Sequence, residues 1–502
     1  MPHRPGPLAS LAIGTVAALW SLWFTTTPVT AATDPPVIAA VRSGDVQVLQ
    51  ALLKSRPDVN TRQGDGATAL HWAAHLDDVR SAQLLLKAGA RPGLADDTGA
   101  TPLYLACLNR SAPMVETLLA AGADPNSALL SGETALMTCS RTGDAKAVRA
   151  LLARGASVNG KERLRDQTAL MWAAAQKHPA VVAALIKAGA DVRARSRAYS
   201  QTVTSEVTQR AGREALNYSV TRGGSTALLF AARAGDAESA GLLIEAGADV
   251  NEALPNGMTA LVEAAHSGQQ AVAILLLAKG ADPNAGGIGY TALHAAVLRG
   301  SLELVKALLA HGADPNLRMT KGTPVRRNSE DFELPATLIG ATPYFLAAKY
   351  VEADIMRALT AGGADTRLSM NSGETPLMAA AGMGASPQTD RRGLSILDGG
   401  KIEPEPVVAA AVSAALEQGA EVNAANQNGD TALHAAALLG YDSVIRQLVK
   451  AGAKPDLKNA RGLTALGQIE GKTGGALRSP DRTNRGPRDS TVELLRALGS
   501  QP

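Results

Sequence analysis

The chain has 502 residues, of which 46% are apolar, 19% are charged and only 3% are aromatic. This composition is too apolar for a disordered chain, and it predicts a core of small and aliphatic side chains. The 49 basic and 46 acidic residues give a net charge of +3, which offers no electrostatic signature of a nucleic-acid-binding protein. Two cysteines are too few for a disulfide framework or for a zinc site with four thiolates.

The N-terminal segment has the pattern of an export signal. A basic start precedes an apolar run over 8–24, and Pro28 breaks the helix that this run would form. A small-x-small pattern ends at Ala31, so we predict a signal peptide over 1–31, cleaved there or one residue later. An uncleaved inner-membrane anchor is the alternative, although the run is short for a spanning helix. The Ala-, Gly- and Arg-rich usage suggests a bacterial chain, which gives a periplasmic or extracellular location.

A threonine element recurs through the rest of the chain, mostly at intervals near 33 residues. The threonines are Thr68, Thr101, Thr134, Thr168, Thr226, Thr259, Thr291, Thr342, Thr375, Thr431 and Thr464. Threonine is a good N-cap, and Pro102 follows its threonine at the first helical position. A short Ala-rich helix should follow each threonine, and then a second helix with an aliphatic stripe, as over 302–309. Gly312 ends that second helix, and a Gly-Ala-Asp-Pro-Asn element then leads into a turn.

This unit resembles the ankyrin repeat, a 33-residue turn and helix pair with a T-P-L-H-x-A signature. The nearest resemblance is to exported bacterial proteins with ankyrin arrays. It implies an all-α solenoid of about twelve stacked repeats with β-turn fingers, in which stacking supplies the core. We place the ankyrin domain over 32–502, with repeats at about 36–60, 65–97, 98–130, 131–163, 165–197, 223–255, 256–288, 289–318, 340–370, 371–423, 428–460 and 461–499.

Four insertions interrupt the array, at 198–222, 319–339, 384–404 and 472–490. The first two fall in fingers between repeats, and the β-branched run 202–208 predicts a hairpin finger. The other two fall between the helices of one repeat. Long loops on a rigid scaffold often carry function, and tolerated flexible loops are the alternative.

Several residues could carry chemistry, and each also has a structural interpretation. His71 and His75 lie four apart on one helix, as in zinc sites, but Trp72 occupies the place of the general base in the zinc-protease motif. The resemblance implies that His71 has a structural role and forms a hydrogen bond with Thr68, the threonine of its own repeat. Trp72 and Trp172 are expected in the core. No metal, no cofactor and no catalytic residue is therefore predicted.

The cysteines, Cys107 and Cys139, lie in first helices of adjacent repeats, one step out of register. Neighbouring helix axes lie about 8–10 Å apart, whereas a disulfide needs Cα atoms within about 7 Å. This comparison favours buried free thiols over a disulfide. The alternative is a disulfide formed in the oxidising environment that an exported chain would enter.

The resemblance implies that a partner binds on the concave face, at the exposed ends of first helices, and on the finger tips. These helix ends lie seven and eight residues after each threonine. The predicted partner-binding residues are His75, Leu108, Asn109, Arg141, Gln176, Arg233, His266, Leu298, Arg299, Lys349, Tyr350, Leu438 and Leu439, and finger tips add Leu129, Leu130 and Leu254. The sequence thus predicts an exported, non-catalytic, monomeric scaffold that binds an unknown protein. The alternatives are a ligand- or metal-binding accessory protein and a membrane-anchored or host-directed interaction protein.

Overall fold

The computed structural model describes residues 34–204, 217–322, 334, 336–385, 403–470 and 489–500. Twelve helix pairs follow one another through these ranges. The first helices, which take odd numbers, are α1 Pro36–Arg42, α3 Ala69–His75, α5 Pro102–Leu108, α7 Ala135–Thr142, α9 Ala169–Ala175, α11 Ala227–Ala234, α13 Ala260–His266, α15 Ala292–Leu298, α17 Pro343–Lys349, α19 Pro376–Ala380, α21 Ala432–Leu439 and α23 Ala465–Glu470. The second helices are α2 Val46–Lys54, α4 Val79–Lys87, α6 Ala112–Ala120, α8 Ala145–Ala153, α10 Pro179–Lys187, α12 Ala237–Glu245, α14 Gln270–Ala278, α16 Leu302–Ala310, α18 Ala353–Ala361, α20 Glu405–Glu417, α22 Asp442–Lys450 and α24 Asp489–Ala497.

From α3 onward, each first helix begins at its recurring threonine. The Thr226 hydroxyl accepts a hydrogen bond from the amide of Leu229, and Thr342 caps Phe345 in the same way. Many second helices begin at a side-chain acceptor too, as where Asp78 accepts from the Ser81 amide at 2.9 Å. The second helix of the third repeat is followed by Gly122 at φ +87°, a left-handed conformation that glycine adopts at little cost.

The helices stack in two layers. Each first helix packs on the first helices of the repeats before and after it, and the second helices do the same in their own layer. Alanines such as Ala73 and Ala106 are completely buried between first helices, and leucines such as Leu85 and Leu118 fill the space between the layers. The solenoid thereby buries a continuous apolar core that no single repeat could form. This confirms the predicted all-α solenoid.

The fingers between repeats are joined by backbone hydrogen bonds. The amide of Leu130 donates to the carbonyl of Thr98, and the amide of Arg163 donates to that of Ser131. An asparagine strengthens seven of the junctions: the Asn126 amide donates to the carbonyl of Gly155 at 3.1 Å, and its oxygen accepts from the Ser157 amide at 2.7 Å. Asn60, Asn159, Asn251, Asn284, Asn316 and Asn423 make the same pair of bonds to the next repeat.

The first insertion forms a hairpin, as predicted. Strand β1 (Tyr199–Thr204) pairs antiparallel with β2 (Asn217–Arg222). Helices α9 and α11 still pack together, so the hairpin leaves the stack unbroken. In the second insertion Met319, Leu334 and Leu338 are buried in the core, and a short 3-10 helix covers Ala336–Leu338.

Several predictions lie outside the described residues. These are the signal peptide over 1–31, the tip of the hairpin over 205–216 and most of the other three insertions. Among the residues that the structure describes, no helix is both long and apolar enough to cross a membrane.

Candidate partner-binding face

The ends of the first helices form one face of the array, which we call the first-helix face. Because the first helices from α3 onward begin at a threonine and run for about two turns, the residue seven places after the threonine lies at the end of the helix. In the first six repeats this position is exposed at His75, Leu108 and Arg233 and partly exposed at Arg141. Gln176, one place further along its repeat, is exposed as well.

Arginine side chains lie over the tryptophans of this face. The guanidinium of Arg42 lies 4.5 Å from the ring centre of Trp72, and that of Arg141 lies 5.5 Å from the ring centre of Trp172. Each indole N–H donates to a glutamine oxygen at 2.9 Å, Gln63 in one case and Gln167 in the other. Both tryptophans are half-buried and pack against the apolar core, in agreement with the predicted core packing. Their position next to the fingers lets the indole nitrogen reach a polar partner, as this side chain usually does.

Two ion pairs order the basic residues of the face. The Arg233 guanidinium contacts the buried carboxylate of Glu263 at 2.7 Å. Arg141 contacts Glu133 at 3.1 Å, and the hydroxyl of Thr138 donates to the same carboxylate oxygen at 2.9 Å. These contacts hold the two arginines in one orientation while leaving part of each exposed.

Some of the predicted binding residues have structural roles. Asn109 donates to the carbonyls of Ala74 and His75 at 2.9 and 2.6 Å, where it caps the end of helix α3. Arg299 donates to the carbonyl of His266 at 2.6 Å and caps α13. Each side chain satisfies carbonyls that a helix end leaves open. Their hydrogen-bonding groups are thus engaged within the array.

The signature histidines are buried and hydrogen-bonded on both ring nitrogens. In His71, Nδ1 accepts from the amide and hydroxyl of Thr68 within 3.1 Å, and Nε2 donates to the carbonyl of Ala100 at 3.0 Å. His71 therefore has no free nitrogen for the metal site considered with His75. Burial lowers the pKa of His71, and it lowers the pKa of the equivalent His294 to about 4. Within the described ranges, no group of three or more His, Cys, Asp or Glu side chains is arranged to hold a metal ion.

Comparison with known proteins agrees with this architecture. The family profile described as ankyrin repeats in three copies matches residues 37–129, 122–196, 206–287 and 228–319, and the single-repeat profile matches 428–460. These matches cover more than half of the chain. The chain belongs to the ankyrin repeat family. Among solved structures, it is similar to the crystal structure of the human ASB11 ankyrin repeat domain, with 25% identity over 50% of this chain and 99% of that one and a TM-score of 0.40. No curated protein matches the chain.

Later in the ankyrin array, three predicted contact residues are buried, so the expectation that they are exposed is wrong. Leu298 is 0% exposed, Tyr350 is 4% exposed and Leu439 is 3% exposed. Leu439 packs on Gly382, where a Cβ atom would lie only 2.2 Å from the leucine methyl group. His266, Arg299, Lys349 and Leu438 are partly buried. The open part of the first-helix face therefore lies in the first half of the array.

The two cysteines form a disulfide, so the prediction of free thiols is wrong. Cys107 of α5 and Cys139 of α7 are bonded, with their Cα atoms 4.6 Å apart. The error lay in comparing the distance between helix axes with the distance between Cα atoms. Each Cα lies about 2.3 Å from its axis toward the neighbour, so axes about 8–10 Å apart bring facing Cα atoms within roughly 4–5 Å. Both side chains are fully buried.

Sequence reasoning also missed one exposed group at the finger tips. Leu164 is the most exposed large apolar side chain among the described residues, and Arg163 and Arg165 flank it. One sequence feature marks this finger as unusual: Asp166 replaces the glycine found two places before the other recurring threonines. It takes a φ of +53°, as a glycine would.

Proposed function

We propose that this chain is an exported, non-catalytic scaffold whose ankyrin array binds a protein partner on the first-helix face and the fingers of its first half. The observation that carries this proposal is the row formed by His75, Leu108, Gln176 and Arg233, which stay exposed on a continuous stack of rigid helices. Ankyrin repeats generally serve as protein-binding scaffolds, so the family supports the same function.

The composition of the face supports protein binding. Tryptophan and arginine are the side chains that most often dominate the binding energy of protein interfaces. Here Trp72 and Trp172 are each held by a glutamine and covered by an arginine, so they lose little freedom on binding. A partner that displaces or extends these arginine–tryptophan pairs would meet a surface that is already ordered.

Affinity capture with mass spectrometry tests the binding function. The full chain should retain one stoichiometric partner from the native extract, and the double variant His75→Asp/Leu108→Asp should lose it. Leu108 is 42% exposed, and Val48, on the second-helix side, is 46% exposed, so Val48→Asp is a matched control that should keep the partner. If both variants retain the partner, the binding face lies elsewhere. If the unmodified chain captures none, the scaffold function is wrong.

The proposed export rests on two features. One is the predicted signal peptide over 1–31, and the other is the disulfide between Cys107 and Cys139, a bond typical of oxidising compartments. N-terminal sequencing of the mature protein from each cell fraction tests the proposal. A chain that begins just after Ala31 or Ala32 in the periplasm or medium is expected. A full-length chain in the membrane fraction would show that the protein is membrane-anchored and would contradict the proposed cleavage and export.

A further inference from the structure

Two consecutive fingers present a cluster of basic side chains. The fingers over 161–165 and 193–197 carry Lys161, Arg163, Arg165, Arg193, Arg195 and Arg197, and all six side chains are exposed. No other pair of neighbouring fingers in the sequence holds as many basic residues.

The fingers are fixed relative to one another by their backbones. The amide of Arg163 donates to the carbonyl of Ser131 at 3.0 Å, and the amide of Arg197 donates to that of Arg165 at 2.6 Å. The Arg163 guanidinium also donates to the carbonyl of Leu130 at 3.3 Å. The tips of three successive fingers therefore form one row with a defined spacing.

The nearby acidic side chains shape the fingers instead of neutralising the whole cluster. The buried carboxylate of Glu162 accepts hydrogen bonds from the amides of Leu164, Arg165 and Gln167 at 2.7, 2.7 and 3.0 Å. Asp166 takes a bidentate pair with Arg197 at 2.8 and 3.0 Å.

Besides Arg197, one more arginine of the cluster has an ion pair: Arg195 lies 3.6 Å from the carboxylate of Glu252. Lys161, Arg163, Arg165 and Arg193 have no carboxylate within ion-pair distance in the part of the chain that the structure describes. Within the described residues, no carboxylate neutralises these four cations, and the Arg193 guanidinium donates only to the carbonyl of Gly247 at 3.2 Å.

Two leucines lie among these cations. Leu164 is 72% exposed and Leu130, on the preceding finger, is 69% exposed. The Glu162 carboxylate accepts hydrogen bonds from the backbone amides of Leu164 and Arg165, and these bonds hold the loop in the conformation that points Leu164 outward. Water-exposed leucines on an ordered loop gain free energy when a partner covers them.

We propose that this fingertip patch (Leu130, Lys161, Arg163, Leu164, Arg165 and Arg193) binds an acidic segment of the partner protein that carries an apolar side chain. The inference rests on the proposed scaffold function and names the chemistry of the partner. Carboxylates of the segment pair with the arginines on either side of Leu164, and its apolar side chain covers Leu164 and Leu130. Arginine forks suit carboxylates well, because they can form two parallel hydrogen bonds.

A protein segment fits this patch better than a membrane surface does. The four cations follow a row of backbone-bonded fingers, which matches an extended chain. Among the described residues of the patch, only two leucines are available for insertion into lipid, whereas stable interfacial binding usually needs a wider apolar face.

Fluorescence anisotropy with three synthetic peptides of equal length tests the patch on the full chain. The first peptide combines glutamates with two leucines, the second replaces the leucines by serine, and the third replaces the glutamates by lysine. The first should bind at least about tenfold more tightly than either of the others, and its affinity should fall as salt is raised. Equal binding of the lysine peptide would overturn the proposal.

Variants locate the site. Arg163→Glu/Arg165→Glu should weaken binding of the first peptide at least about tenfold, and Leu164→Ser should reduce it to the affinity of the serine peptide. Arg80→Glu/Arg149→Glu reverses two exposed charges on second helices and should leave binding unchanged. All these side chains are exposed, so urea unfolding curves should coincide. Retained binding in the finger variants would overturn the site.

Two further measurements separate the alternatives. If vesicles containing phosphatidylglycerol sediment the protein but not Arg163→Glu/Arg165→Glu, and the acidic peptide does not bind, a membrane surface replaces the protein segment and the proposal is wrong. Capture of the native partner by this variant as well as by the unmodified chain overturns the fingertip patch alone. Capture of no partner by either chain overturns the scaffold function itself.

Discussion

Acid should loosen the ankyrin array at its buried histidines, and His294 gives the clearest case. Its side chain is 1% exposed, its Nδ1 accepts from Thr291, and its Nε2 donates to the carbonyl of Ala341 in the next repeat at 3.3 Å. Among the residues that the structure describes, no charged group acts on this ring, and burial lowers its pKa to about 4. The folded protein therefore holds this ring neutral over a pH range in which the unfolded chain protonates it.

The sign and size of the effect follow from this difference. Because the pKa is lower in the folded state, the stability that it confers is complete above about pH 6.5, the value for an unperturbed histidine, and falls with pH down to about 4. For this one histidine, the loss between pH 7.5 and pH 5 is about 2 kcal/mol. His71 and His434 have pKa values lowered by burial too, so their contributions have the same sign.

Urea unfolding followed by circular dichroism, at several pH values from 7.5 to 4.5, measures this loss, and hydrogen exchange of α15 locates it. The comparison that isolates His294 is between the unmodified chain and His294→Gln, which should lose about 2 kcal/mol less between pH 7.5 and pH 5. His311→Gln, which replaces an exposed ring, serves as a control for the substitution itself. An unchanged pH dependence in His294→Gln, or a gain of stability in acid, would refute the reasoning.

Three further predictions concern the packing of the array. Without reductant, denatured protein should take up no thiol-alkylating label, and two labelled cysteines per chain would contradict the disulfide. Replacing Cys107 and Cys139 by serine should lower the free energy of unfolding by about 4 kcal/mol, because the bond closes a loop of 32 residues. Asn126→Ala removes both bonds to the next repeat and should cost about 1–2 kcal/mol in urea unfolding, whereas no change would mean that the asparagine is dispensable. Leu298→Asp should cost more than about 3 kcal/mol in the same assay, because it buries a carboxylate; a stable, fully helical variant would show that this leucine is on the surface.

The local features of each repeat were predictable, since they depend on residues a few positions apart. The threonine that caps a helix, the proline after it and the glycine that ends the next helix are signals within one turn of their effect. The hairpin at 199–222 was predictable for the same reason, from a β-branched run in a finger. These local signals, repeated in phase, were sufficient to predict the stack.

Contacts between repeats were harder to predict. The asparagine at the end of the Gly-Ala-Asp-Pro-Asn element was visible as a recurring letter, but its two bonds, as at Asn126, join it to residues 29 and 31 positions further along. The disulfide was missed through a geometric error about facing helices. The pairing of Asp166 with Arg197 likewise spans 31 residues. Each of these contacts depends on the offset between neighbouring repeats, which the pattern within one repeat does not contain.

Leu108 and Leu298 show why binding residues cannot be assigned from repeat position alone. Both are leucines seven places after the threonine of a repeat, yet Leu108 is exposed and Leu298 is completely buried. Leu298 belongs to the buried core, as do side chains of the second insertion such as Leu334, whereas Leu108 lies outside it. Part of the apolar surface that the pattern assigns to a partner in the later repeats is therefore buried within the chain itself. The earlier repeats retain an open face and the basic fingertip patch on one continuous stack, so a partner that spans both features would contact the array only in its first half.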